Sequence, residues 1–212
     1  MRRSRTGTYR GKRAVDLLLV AAAAAPAALL GGACAVAVRL SGPGPILYRQ
    51  LRIGRDGRPF ELLKFRTMVD RPDNPIFPDP GRITPVGRWL RRLSLDELPQ
   101  LLNVVRGDMS LVGPRPALAY QVERYDERQR GRLAALPGVT GLAQVSGRNT
   151  LYWSERIELD LTYIRRQSIG LDLAILARTV RLMARPAGVE GHPGDDPIAS
   201  VAPLDDPPGP EA

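Results

Sequence analysis

Residues 17–38 form an apolar run without a single charge, rich in Ala and Leu. As helix it would span about 33 Å, enough to cross a hydrocarbon core. Pro26 interrupts the middle of the run, removing one N–H and clashing with the carbonyl of Ala22, and Gly31-Gly32 weaken the next turn. Basic residues crowd both flanks: Arg2, Arg3, Arg5, Arg10, Lys12 and Arg13 before it, Arg39, Arg49, Arg52, Arg55 and Arg58 after it. Positively charged flanks stay on the cytoplasmic side, so a straight span would leave one flank on the wrong side. A helix that enters, bends and returns keeps both inside. An ordinary kinked span has the same composition, since membrane helices tolerate Pro and Gly. The flank charge together with Pro26 favours the re-entrant form. Asp16, at the start, is tolerable near the headgroups but costly deeper. The run is too long for the apolar core of a cleaved signal peptide.

Beyond the apolar run the periodicity changes. Residues 46–53 and 60–67 flank Gly-Arg-Asp-Gly at 54–57, which reads as a β-hairpin because Asp56-Gly57 can supply positive φ angles. Residues 70–81 hold Pro72, Pro75, Pro78 and Pro80 and read as a mobile loop. Val86, Trp89, Leu90 and Leu93 share one helical face, with Arg88, Arg91 and Arg92 on others. A second helix is expected from Ser94 to about Arg106; Ser94-x-x-Glu97 fits a capping box and Pro99 fits a first turn, implying slightly different starts. Residues 138–147 read as a turn and short strand, and 151–166 as a helix. Near the end, Leu173, Leu176, Val180 and Met183 line one face and Arg178, Arg181 and Arg185 another. That pattern suits equally a helix lying on an anionic membrane and a core-packed surface helix. The class is α+β and mostly helical. The chain divides into a basic segment (1–13), a membrane helix (14–40), a body (41–185) and an acidic, Pro/Gly-rich tail read as disordered (186–212).

The formal charge is +9, yet from Pro186 onward there are six acids and no Lys or Arg, so residues 1–185 carry +15. Such a body seeks a polyanion: nucleic acid, an anionic membrane or phosphorylated substrates. Nucleic acid is the poorest fit, because no recognition module is evident and 5% aromatic residues leave few stacking platforms. The only cysteine, Cys34, lies in the apolar run, and the only histidine, His192, lies in the tail. A Ser–His–Asp triad, a Cys–His pair and a His-based zinc site therefore fall away. No P-loop, GxGxxG loop or CxxC pair is present. Chemistry must fall to carboxylates, with two lysines and six tyrosines as lesser candidates.

Residues 88–116, RWLRRLSLDELPQLLNVVRGDMSLVGPRP, concentrate that chemistry. Asp96 and Glu97 sit side by side near an expected helix N-terminus, where free N–H groups favour phosphate and keep a carboxylate ionised. Asp96 can act as a nucleophile and Glu97 can hold a divalent cation, since Mg2+ needs only one or two protein carboxylates plus substrate oxygens. Arg88, Arg91, Arg92, Arg106 and Arg115 can answer phosphate charge with paired hydrogen bonds. The same carboxylates could simply cap a helix, in which case the chain would be a membrane-anchored basic protein without catalysis.

At these residues the chain resembles the bacterial sugar transferases, monotopic polyprenol-phosphate phosphoglycosyl transferases in their minimal catalytic form. The resemblance rests on KRAVDLLL, GPILYRQLRIGRDGRPFELLKFRTM, ITPVGRWLRRLSLDELPQLLNVVRGDMSLVGPRP, PGVTGLAQVSGRN and ELDLTYI, and covers roughly residues 12–179. It implies a small catalytic domain on the cytoplasmic face of the bacterial inner membrane, anchored by a re-entrant helix and interfacial amphipathic helices. It also implies transfer of a sugar-1-phosphate from a UDP-sugar to undecaprenyl phosphate, releasing UMP and initiating exopolysaccharide, O-antigen or glycoprotein glycan assembly ahead of downstream glycosyltransferases. By the same resemblance Asp96 forms a covalent phosphosugar intermediate, Glu97 binds Mg2+, and Arg91 and Arg115 engage phosphate or nucleotide. Lys64, Arg66 and Arg88 are further phosphate contacts. Where that family breaks its membrane helix at Ser-Pro, this chain has Ala25-Pro26, so the hydroxyl that would satisfy a freed carbonyl is missing.

Overall fold

The computed structural model describes residues 8–69, 80–147 and 150–184. Most of the 70–81 loop, and the whole 186–212 tail with His192, lie outside these residues. The described part is mixed and mostly helical, as expected, with one β-hairpin and a second, unanticipated strand pair.

Helix α1 (Lys12–Leu40) runs without interruption through Pro26. Ala and Leu on either side favour helix strongly enough that one missing N–H does not end it. Its ends touch the rest of the chain and its middle does not: Lys12, Asp16, Cys34 and Val38 are buried, whereas residues 21–26 are exposed.

At the N-terminal end, Lys12 Nζ donates to Asp172 Oδ2 at 2.6 Å, and Tyr9 Oη donates to the same oxygen at 2.9 Å. Tyr163 Oη lies 2.7 Å from Asp172 Oδ1. Asp16 accepts from Ser110 Oγ at 2.8 Å and from the Leu111 N–H at 3.3 Å. The acid placed by the sequence at the membrane entry is thus a strut to the body. At the other end, Cys34 and Val38 pack with Phe65, Leu90 and Leu95.

Strands β1 (Leu47–Ile53) and β2 (Pro59–Phe65) pair antiparallel, joined by a turn in which Asp56 and Gly57 take φ of 58° and 75°. Helix α2 (Pro85–Arg92) starts on Thr84, whose Oγ1 accepts from the Gly87 N–H at 2.9 Å, with Pro85 in the first turn. It lies so close to the backbone after β2 that a Cβ on Gly87 would come within 2.0 Å of the Thr67 carbonyl. Leu90 is buried and Val86 and Leu93 pack beside it, but Trp89 is 52% exposed. The expected four-residue face is therefore three residues wide.

Helix α3 (Gln100–Arg106) is docked onto β2 by Asn103, which accepts from the Leu63 N–H at 3.1 Å and donates to the Glu61 carbonyl at 2.7 Å. Strand β3 (Ser110–Val112) then pairs in parallel with β4 (Gly138–Thr140). The two strands approach through glycine: a Cβ on Gly138 would lie 2.1 Å from the Gly113 nitrogen. This contact seats GPRP (113–116) on PGVTG (137–141), through Gly138 N–H to Pro114 O at 2.8 Å and Gly113 N–H to Thr140 O at 2.9 Å.

Short helices α4 (Ala119–Glu123), α5 (Glu127–Arg130) and α6 (Leu142–Ser146) lead to α7 (Trp153–Arg166) and α8 (Ile169–Ala184). The segment expected as turn plus strand at 138–147 is half helix. In α8, Asp172 and Ile175 are buried and Leu176 and Met183 pack inward, while Leu173 and Val180 are 48% and 68% exposed. The helix is core-packed on one side and carries an apolar strip on the other.

Removing one partner of a buried ion pair strands the other charge. Asp172→Ala should therefore cost roughly 3–5 kcal/mol, because Lys12 is 6% exposed and its other carboxylate, Asp16, lies 3.9 Å away. Denaturant unfolding in lipid nanodiscs measures this; a loss below about 1 kcal/mol would mean the pair does not anchor α1.

Candidate active site

Between α2 and α3 the backbone leaves regular α-helix. Ser94 adopts φ 56° and ψ 22°, a left-handed conformation uncommon for a residue with a Cβ. A single 3-10 turn, Leu95–Glu97, follows before α3 begins behind Pro99. The capping box expected at Ser94 is absent: its side chain makes no cap hydrogen bond, and the Pro99 start is the one realised. In a 3-10 turn residues three apart share a face. Leu95 and Leu98 accordingly pack on the apolar cluster around Phe65 and Leu90, and Asp96, Glu97 and the open side of Leu98 line a cleft.

Glu97 is held from two sides. Lys64 Nζ, from the end of β2, and Arg115 Nη2, from GPRP, both donate to Glu97 Oε1 at 3.0 Å. Burial alone would push the Glu97 carboxyl up, but the two cations outweigh it and hold it at about 2. Asp96 is 8% exposed, and burial, then the neighbouring Glu97 charge, raises its carboxyl. Lys64, Arg91 and Arg115 act in the opposite direction. The expected lowering by a helix N-terminus does not prevail, because Asp96 stands on a 3-10 turn ahead of α3 in a desolvated spot. Arg91 lines the cleft with its Nε donating to Thr67 Oγ1 at 2.9 Å.

Glu97 spends Oε1 on its two cations, leaving Oε2 as the oxygen that could face a divalent cation, with Asp96 beside it. Carboxylate oxygens are donors of the kind that hold a hard cation such as Mg2+ when substrate and water complete its shell.

The other expected contacts divide. Arg66 donates to the carbonyls of Val38 at 3.1 Å, Gly42 at 2.8 Å and Pro43, tying the C-terminus of α1 and the loop after it to β2. It also lines the cleft, where its Nε is buried without a hydrogen-bond partner among the described residues. Arg88, Arg92 and Arg106 are exposed and lie outside the cleft lining. Of the five arginines in 88–116, the fold brings Arg91 and Arg115 to the carboxylates.

Two further layers were not legible in the sequence. Arg132, 3% exposed, donates to Asp160 Oδ2, the Tyr125 hydroxyl and the Arg115 carbonyl, each at 2.6 Å, and thereby fixes the backbone that carries Arg115. Arg52 donates to Gln50 Oε1 at 2.6 Å, and burial followed by the nearby Arg115 charge pushes its guanidinium down to about 10. No periodicity marks either residue; ELDLTYI contains Asp160 but does not reveal its partner. Among the described residues, both amide atoms of Gln144 and Asp160 Oδ1 are buried without a hydrogen-bond partner. Groups in that state call for a ligand or a water.

The whole cleft has a volume near 1050 Å³. It is wide enough for a nucleoside diphosphate sugar and more, sitting at the upper end of ordinary small-molecule sites. A desolvated carboxylate beside an ionised one, facing Lys64, Arg91 and Arg115, is suited to nucleophilic attack on a phosphorylated substrate.

The family described as "Bacterial sugar transferase" matches residues 7–186. The sugar transferase EpsL of Bacillus subtilis strain 168 is 48% identical over 155 residues, 72% of this chain and 77% of that protein. The UDP-glucose:undecaprenyl-phosphate glucose-1-phosphate transferase of Caulobacter vibrioides is 46% identical over 184 residues, 80% of this chain and 68% of that protein. The Escherichia coli K12 protein of the same name is 45% identical over 159 residues, 69% of this chain and 34% of its own. By these matches the chain belongs to the bacterial sugar transferase family.

Proposed function

We propose that this enzyme moves a sugar-1-phosphate from a UDP-sugar to undecaprenyl phosphate, releasing UMP, and so begins assembly of a surface glycan. The observation that carries the reading is Asp96, buried beside ionised Glu97 and facing three cations. The capping alternative lacks support, since no side-chain cap bond forms at the 3-10 turn or at α3.

In this reading a carboxylate oxygen of Asp96 attacks the phosphorus that bears the sugar. The bond from that phosphorus to the bridging oxygen breaks, UMP leaves with the electron pair, and a sugar phosphate remains on Asp96. An oxygen of undecaprenyl phosphate then attacks the same phosphorus and frees the carboxylate. Arg91 and Arg115 orient and neutralise the phosphate oxygens around Asp96. Lys64 and Arg115 keep Glu97 charged, so its free oxygen can hold a divalent cation. Mg2+ at that oxygen would neutralise diphosphate charge. Arg132 holds the Arg115 backbone in register.

The membrane arrangement follows the same logic. Both ends of α1 rest on one body, while residues 21–26 between them face outward. A body too polar to enter the bilayer keeps both ends on one side, which supports a monotopic helix that dips into one leaflet while staying helical through Pro26, with the cleft on the cytoplasmic face, next to its nucleotide-sugar supply. The outward apolar strip of α8, with Ile169, Leu173 and Val180, would lie in the interface.

Two variants test the chemistry. With Mg2+, undecaprenyl phosphate and a panel of UDP-sugars, wild type should release UMP from at least one donor. Asp96→Asn should lower that release by about 10³-fold or more, equivalent to about 4 kcal/mol of barrier. Turnover within tenfold of wild type would remove Asp96 as nucleophile. Glu97→Gln should raise the Mg2+ concentration for half-maximal rate by roughly tenfold or more; an unchanged metal titration would refute that role.

A further inference from the structure

The cleft lining is of two kinds. Part of it is polar and includes Arg52, Arg115, Thr140, Gln144 with its unpartnered amide and Asp160 with its unpartnered Oδ1. Another part is apolar: Phe65, Leu98, Leu101, Leu182 and Met183. These residues come from β2, the start of α3 and the last turns of α8, and Leu98, Leu101, Leu182 and Met183 are all half-buried rather than sealed into the core.

Two features place this apolar lining. Leu98 is two residues from Asp96. Leu98 and Met183 also pack on the same cluster as Cys34 and Val38, in the last turns of the membrane helix. The outward neighbours there, Val36 and Leu40, are 60% and 80% exposed. The cluster at the C-terminal turns of α1 thus shares Leu98 and Met183 with the cleft that holds Asp96.

We propose that the α3–α8 wall formed by Leu98, Leu101, Leu182 and Met183 seats the first isoprene units of the lipid acceptor and guides its phosphate to Asp96. The inference rests on the reaction proposed above and adds to it the place where the acceptor's hydrocarbon lies. An isoprenoid phosphate is the occupant that matches both halves of the site. Its branched hydrocarbon gains from covering partly exposed leucine and methionine, and its phosphate needs the arginines beside Asp96. The arrangement makes α8 part of the acceptor site through its inner face, with its outer face left for the interface.

The test uses the full chain in nanodiscs and the variants Met183→Gln and Leu101→Gln, with Met183→Leu as the conservative replacement and Val180→Gln on the outer face of α8 as the control. Met183→Gln and Leu101→Gln should each raise KM for undecaprenyl phosphate about tenfold or more, equivalent to about 1.4 kcal/mol, with KM for the UDP-sugar within twofold of wild type. Met183→Leu should restore the acceptor KM. Farnesyl phosphate, which carries only the first isoprene units, should show the same loss. An unchanged acceptor KM in both glutamine variants overturns the wall. So does an equal rise in Val180→Gln, which would assign the effect to membrane contact, or a rise seen with undecaprenyl but not farnesyl phosphate. Titration of farnesyl phosphate into Asp96→Asn, with and without Met183→Gln, reads the wall without turnover. A wild type that releases no UMP from any donor would overturn the reaction, while weaker farnesyl phosphate binding in the double variant would still support the wall.

Discussion

Everything in the cleft depends on the ion pairs that Glu97 makes with Lys64 and Arg115. Two adjacent carboxylates in a desolvated position repel each other, and burial raises the cost of charging either one. Two cations on one oxygen of Glu97 settle which of the pair carries the charge with less cost. They also join three parts of the chain that local structure would leave independent: the end of β2, the 3-10 turn and the loop after β3. Asp96 remains with a raised carboxyl and an open face toward the cleft.

Holding that triad requires rigid supports, and each cation has its own. Lys64 is fixed because Asn103 stitches α3 to β2 by two backbone hydrogen bonds. Arg115 is fixed because Gly113 and Gly138 let β3 and β4 approach closely, and because Arg132 grips its carbonyl. Arg132 is in turn neutralised by Asp160 and lies 5.1 Å from the centre of the Trp153 ring. A buried ion pair of this kind adds little net stability, since desolvation offsets much of the attraction. Its value here is geometric, as it sets where an active-site backbone runs.

The membrane helix is joined to the same machinery at both ends. Asp16 and Lys12 reach β3 and α8, and Arg66 closes the C-terminus of α1 two residues after Lys64. Anchor and site therefore share β2.

By itself the sequence determined the features that depend on near neighbours along the chain. The apolar run marks α1, alternation and Asp56-Gly57 mark the hairpin, and the composition of 88–116 marks Asp96 and Glu97. Length, period and turn chemistry are local quantities, and they survive into any fold. Even so, Ser94 did not cap and Pro26 did not end its helix, because packing on Leu95 and the helix preference of the flanking alanines decided those points. Only the tertiary structure decided which cations serve the carboxylates. Lys64 and Arg66 stand two apart, yet one meets Glu97 and the other meets the carbonyls of Val38, Gly42 and Pro43, since β2 ends at Phe65 and the alternation that would align them ends with it. Arg132 and Asp160 are 28 residues apart, and no pattern in either segment names the other. A side chain's charge partner is fixed by whichever distant elements the core brings beside it, and that information is in the packing rather than in any stretch of sequence.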